Sequence, residues 1–261
     1  MNFQWHIFWH YLAPWNLFQD EFLRNGLITT VLMAVVAQSL GTLIGIAAAL
    51  MQRSRLTAVR RIIYLYVLYF RGTPVIVQLA LIYFGLAALN IYHFSNFDLG
   101  SVTIPGAIQA GIVGLALNEG AYMTEIIRAG IESVPQGQWE AARSLGMRNR
   151  KVLRSVIFPQ AARVVVPPLG NEFNSMLKNT TLVLVIGGTD FFFGFSQLNA
   201  RIFAPFELFA VASIYYLLLT LIWTLIQSRV EAKLGAYAAP TPPVRLRRGI
   251  VPRRMLTRKA G

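Results

Sequence analysis

The chain has 261 residues, 55% of them apolar and only 13% charged, with a net charge of +13 from 24 basic and 11 acidic residues. This composition excludes a disordered chain, which needs low hydrophobicity. It also excludes an ordinary water-soluble domain, in which about a quarter of residues are charged. The absence of cysteine excludes a disulfide framework, a thiol nucleophile and a cysteine-ligated metal site.

Residues 1–21 carry Trp5, Phe8, Trp9, Tyr11 and Trp15 without a basic cluster. That pattern predicts an interfacial segment on the outer membrane face. His6 and His10 stand at a metal-like spacing but have no acidic or cysteine partner nearby, so they read as part of this amphipathic end.

Five windows then follow, each long enough to cross a hydrocarbon core of about 30 Å. They run over 27–50, 62–89, 104–127, 164–193 and 203–228. The first has no charge and lacks the short apolar region and basic start of a cleaved signal peptide, so it is expected to remain. The expected fold is therefore an all-α membrane protein with five transmembrane helices, divided into an N-terminal segment 1–21, a membrane domain 22–230 and a tail 231–261. Pro74 after Gly72, and the pair Pro167-Pro168, are expected to break or kink the second and fourth spans. The stretch 194–202 is read as a loop.

The connections fix an orientation. Four basic residues at 51–61, seven at 128–163 and nine at 229–261 bring 20 of the 24 to alternate connections. The positive-inside rule makes that side the cytoplasm, with the N-terminus outside and the C-terminus inside. The basic excess is then topological rather than a sign of nucleic acid. The proline-bearing tail is expected to be disordered and to meet anionic lipid. No internal repeat is visible, unlike a complete secondary transporter, which usually contains two related halves.

The connection 128–163 is the most informative. Pro135 and Gly137 break the third span. Trp139 to Leu145 forms a helix that Gly146 stops. A second short helix, 151–158, is expected to end at Pro159. Such a helix, fixed at both ends, suits docking into a partner's groove; the alternative is a membrane-surface helix between spans. Further along, Asn171, Asn174, Lys178 and Thr181 fall on one helical face, with Glu172, Ser175 and Asn179 beside them. Polar groups in spans are costly and usually functional. Asn174, Lys178, Asn179, Glu119, Tyr122, Arg71 and Gln78 are accordingly the candidates for lining a pathway. The alternative for this belt is internal pairing, such as Lys178 with Glu119 or Glu172, that locks the helices. Glu125 and Arg128, near the cytoplasmic end, read as a structural pair or a gate.

Glu140-Ala141-Ala142, then Gly146, then Val156-Ile157-Phe158-Pro159 resembles the EAA loop of ABC importer permeases, with the pattern E-A-A-x3-G-x9-I-x-L-P. Val156 and Phe158 are apolar replacements within it. Further features resemble the polar amino-acid permeases of that family. They are Arg71-Gly72-Thr73-Pro74 with Gln78; Ala121-Tyr122 through Glu125-Ile126 and Arg128-Ala129-Gly130; Ser133-Val134-Pro135 with Gly137-Gln138; Pro159-Gln160-Ala161; Pro167-Pro168 before Asn171; and Lys178-Asn179-Thr180-Thr181-Leu182. The resemblance covers about 22–230. It implies a type I importer permease in a bacterial inner membrane, acting as half of a homo- or heterodimer. ATPase subunits are expected to dock on the 139–146 helix through Glu140, Ala141, Ala142 and Gly146, and an extracytoplasmic binding protein to deliver the amino acid. The chain has no Gly-Lys pair and hence no P-loop, so ATP and magnesium are expected on the ATPase, and no cofactor on this chain. Many relatives have aspartate where this chain has Asn179, which implies a neutral or acidic amino acid rather than a cationic one. The competing readings are an ion-coupled secondary transporter working as a dimer of five-helix chains, and a non-transporting membrane scaffold, which the polar fourth span disfavours.

Overall fold

A computed structural model describes residues 3–100 and 102–235. Two short helices, α1 (Trp5–Leu12) and α2 (Pro14–Gln19), precede the long α3 (Glu21–Met51). Asp20 caps α3 by accepting from the Leu23 backbone N–H at 3.0 Å, which satisfies one of the donors left open in a first helical turn. Next come α4 (Thr57–Gly72), α5 (Val75–Ala80), a π turn over Leu81–Gly85, and α6 (Leu86–Ala88). A hairpin of β1 (Phe97–Leu99) and β2 (Val102–Ile104) leads into α7 (Gly106–Glu132). Then follow α8 (Gln136–Ser144), α9 (Asn149–Val152), a π turn over Leu153–Ile157, α10 (Phe158–Asn179), a 3-10 turn over Thr180–Ile186, α11 (Phe191–Ile202) and α12 (Pro205–Gly235).

Among the described residues, two helices are long and apolar enough to cross a membrane by themselves: α3, and α12 over Pro205–Leu234. Two broken pairs reach the same standard together, α4 with α5 and α6, bent by 111°, and Asn149–Ile186 with α11, bent by 53°. The central helix α7 is about 40 Å long at 1.5 Å per residue but carries Glu119, Glu125, Arg128 and Glu132. Most of its residues are buried against neighbouring helices rather than offered to lipid. Only 11% of the α12 window is buried, so α12 is peripheral.

What lets α3 lie along α7 is a run of small residues. A Cβ added at Gly41 would stand 2.7 Å from the Glu119 Cβ, and one at Gly45 would meet the Met123 backbone carbon at 2.9 Å. Glycines four apart allow backbones this near approach, the usual device of helix pairs in lipid.

Several local expectations are corrected. Among the described residues the regular structure is helical apart from the hairpin, which β-branched Val102, Thr103 and Ile104 favour and which Gly100, at φ +63°, turns. The stretch 194–202 is helical as part of α11, capped by Asp190, whose side chain accepts from the Phe193 N–H at 2.9 Å. The fourth window is therefore interrupted at Gly187, φ +83°, and α11 turns away after it. Pro159 does not end a helix; it occupies the first turn of α10, where its missing N–H costs nothing. Gly137 lies inside α8. Pro167 and Pro168 are carried within α10, and the α12 side chains reach this stretch: Gln227 donates to the Pro167 carbonyl at 3.2 Å and Trp223 to that of Gly170 at 2.7 Å.

The N-terminal segment is tied to the rest. The Gln4 N–H donates to Glu207 at 2.7 Å, and the Tyr215 hydroxyl donates to the Leu12 carbonyl at 2.9 Å. Ile7, Leu17 and Leu23 pack with Phe191, Phe195 and Leu208, while Trp5, Trp9 and Trp15 remain exposed. The expected disordered tail lies, apart from 231–235 in α12, outside the described residues.

Candidate functional site

The first feature is the α8 knob. Trp139 and Ala142 face inward, packed with Ile131, Val134, Val152 and Ile157. Two cations lie over the Trp139 ring, Arg53 at 5.1 Å and Arg143 at 5.9 Å, contacts worth about 0.5–1 kcal/mol each at an exposed site. Glu140, Ala141 and Leu145 point away from the body, Leu145 with 81% of its surface exposed. The helix ends in a Schellman motif. The Gly146 N–H donates to the Arg143 carbonyl at 2.9 Å, and the Met147 N–H to that of Ala142 at 3.2 Å. Gly146 takes φ +73°, with nothing near its α-carbon.

The second feature is the polar belt. Thr73 and Pro74 end α4, because proline disfavours a helical residue before it and supplies no N–H. This leaves carbonyls without helical partners. Gln78 answers them: its amide donates to the carbonyls of Phe70 (2.9 Å) and Thr73 (3.0 Å), and to the Thr73 hydroxyl (2.9 Å). Asn118 completes the arrangement, donating to the Phe70 carbonyl at 2.9 Å and to Gln78 Oε1 at 3.0 Å. Gln78 is 1% exposed. Its amide thus holds the break in place, a role the sequence did not suggest.

With the break held, Arg71 at the end of α4 lies over the Tyr122 ring of α7 at 5.2 Å. It acts through space on Glu172 of α10 and Glu125 of α7. Glu119, buried on α7, accepts from Gln38 of α3 at 2.7 Å. Arg71 and Tyr122 are thus brought into contact.

Lys178 points elsewhere. It is exposed and lines a cleft of about 280 Å³ with Thr181, Phe192, Phe209, Ser213 and Tyr216, between α10, α11 and α12. Asn174 is half-buried, and its Oδ1 has no hydrogen-bond partner among the described residues. Asn179 is half-buried at the last residue of α10. Arg128 forms ion pairs with Glu125 and with Glu132, both at 2.7 Å. Lys178 pairs with neither Glu119 nor Glu172. The Glu125–Arg128 pair forms as expected from its spacing.

The belt also includes residues that the sequence reading missed. Gln38 is a strongly polar residue inside an otherwise apolar window, and Asn118 adjoins Glu119. Both were legible as amides at membrane depth.

Residues 41–236 match the family described as binding-protein-dependent transport system inner membrane components. The chain belongs to this family. It is a mostly helical membrane permease with the type I ABC importer fold. It is 35% identical over 206 residues to an arginine transport system permease protein, ArgU, of Corynebacterium glutamicum, covering 77% of this chain and 64% of that one. The permease thus spans slightly less than two thirds of that relative. It is 34% identical over 230 residues to the L-cystine transport system permease protein TcyB of Bacillus subtilis (strain 168), covering 87% of this chain and 93% of the relative. Among solved structures, one described as an amino acid ABC transporter with histidines superposes with a TM-score of 0.71 at 37% identity, over 81% of this chain and 94% of that one.

Proposed function

We propose that this permease is the membrane subunit of an ATP-driven importer for a polar amino acid, neutral or acidic rather than cationic. In this reading it is half of a dimer. Two cytoplasmic ATPase subunits, which hold ATP and magnesium, dock on α8, and an extracytoplasmic binding protein delivers the substrate. The observation that carries the reading is the α8 knob, whose inward face is anchored by Trp139 and Ala142 while Glu140, Ala141 and Leu145 are presented outward. The amino-acid transport named for ArgU, for TcyB and for the solved transporter supports an amino acid as the substrate.

The same reading takes the chain through an inner membrane five times, with α3, the α4–α6 pair, α7, α10 with its 3-10 turn, and α12 as spans. α7 crosses as a protein-enclosed helix. A single cysteine placed at Ser95 should react with an impermeant thiol reagent added outside intact cells, and one at Ser144 should not. The opposite pattern would invert the topology.

The pathway in this reading draws on Arg71, Tyr122, Glu119 and Glu172 at the break and on Asn174, Lys178 and Asn179 of α10. An uncharged amide beside Lys178 disfavours a cationic side chain. A charge pair at 4 Å is worth roughly 4 kcal/mol at an effective dielectric of 20 before desolvation, and a quarter of that is a several-fold preference. Uptake of glutamine, glutamate, histidine and arginine should therefore favour the first two in the wild type. Asn179→Asp should move the profile several-fold toward arginine. An unchanged profile, or arginine preferred by the wild type, would remove Asn179 from the pathway.

A further inference from the structure

A cleft of about 290 Å³ opens between the ends of α3, α4 and α7, lined by Gln52, Arg53, Arg60, Tyr64, Arg128 and Glu132. A second hollow, of about 340 Å³, adjoins it through Gln52 and Tyr64. We propose that this cleft binds a phosphate group, presented by an anionic lipid headgroup or as free phosphate, with Arg53 and Arg60 as its main ligands.

Charge bookkeeping favours an anion. Both nearby carboxylates, Glu125 and Glu132, are engaged by Arg128 at 2.7 Å. Arg128 balances one of those two charges, and Arg53 and Arg60, neither of which makes an ion pair among the described residues, bring the five groups to a net +1. Both guanidinium groups are pre-positioned. Arg60 is held by the Ser54 carbonyl at 3.0 Å and the Thr57 hydroxyl at 3.2 Å. Arg53 rests on the Trp139 ring at 5.1 Å. Stacking uses the face of a guanidinium and leaves its in-plane N–H edge for an oxyanion, the geometry in which arginine binds phosphate.

The flanks suit lipid chains: Leu50 and Met51 on α3, and Ile62, Leu65 and Leu68 on α4, are all exposed. In the topology proposed above, on which the placement rests, the cleft lies at the cytoplasmic surface, where anionic headgroups attract arginine. Because Arg53 also seats Trp139 of α8, occupancy of the cleft and the position of the knob are mechanically linked.

The test uses the assembled transporter in nanodiscs of phosphatidylcholine, with or without phosphatidylglycerol, and counts the lipids retained on gentle release by native mass spectrometry. Wild type should retain phosphatidylglycerol in preference to phosphatidylcholine, a result that needs no variant. Arg53→Gln with Arg60→Gln should weaken that retention on the order of tenfold, as expected for the loss of charge-assisted hydrogen bonds. Arg53→Lys with Arg60→Lys should restore part of it. Arg55→Gln with Arg61→Gln, an exposed pair that does not line the cleft, should leave it unchanged. Added inorganic phosphate separates the sources: displacement of the lipid assigns the cleft to the free anion, and persistence assigns it to the headgroup. Equal retention of the two lipids by wild type with no binding of inorganic phosphate to it, or equal losses in the cleft and control pairs, would overturn the proposal. Nanodiscs offer both leaflets, so an inverted topology would not produce that failure; cysteine labelling reports it separately.

Discussion

Gly146→Arg should leave the permease in the membrane and lower coupled uptake at least on the order of tenfold. The position takes φ +73° with open space around it, so the substitution causes backbone strain rather than a clash. A left-handed conformation costs an ordinary side chain about 1–2 kcal/mol. That is small beside the stability of a folded domain, about 5–15 kcal/mol, so the loss stays local. It falls on the hydrogen bonds from Gly146 and Met147 that close α8, and it adds a cation to the outward face beside Leu145. Gly146→Asn separates the two effects, because asparagine tolerates the left-handed region; it should retain most of the activity. Uptake into proteoliposomes containing the ATPase and the binding protein measures both. Near-normal transport by Gly146→Arg would deny α8 its docking role.

Gln78→Leu should destabilise the permease by about 2–4 kcal/mol, since each buried polar group left unpaired costs about 1–3 kcal/mol. The change strips the Gln78 donor from the Phe70 and Thr73 carbonyls and deprives the Asn118 amide of an acceptor. Leucine is near glutamine in size, so cavity effects are small. Thermal unfolding of the purified protein, followed by size-exclusion chromatography with fluorescence detection, reads the loss. If Gln78 served the pathway instead, stability would hold and the apparent KM for the amino acid would change.

That comparison marks where sequence reasoning stops. The apolar helices α3 and α12 were readable because lipid imposes a length and an apolar content on a span, and both agree with their windows. The end of α8 was readable because the left-handed stop after Ser144 needs a glycine. The α4–α5 bend was readable only in part. Pro74 marked the break, but the residues that repair it lie 8 and 48 positions from Phe70, and only the fold brings Gln78 and Asn118 together. Lys178 illustrates another limit. Helical periodicity put it on the face of Asn171 and Asn174, but which neighbour that face meets depends on the turn at Gly187 and on the placing of α11. The same turn makes 194–202 a helix, although the stretch reads as a short polar-ended connection. Gly41 and Gly45 looked like ordinary residues of an apolar run until α7 was found against them.

The central claim is ATP-driven import through this permease. The most direct measurement is uptake of labelled glutamine or glutamate by proteoliposomes containing the permease, its ATPase and the binding protein, with ATP inside and ion gradients abolished by ionophores. The account predicts accumulation that requires both ATP and the binding protein and persists without any gradient. Uptake that proceeds without ATP and collapses with the gradient would contradict it.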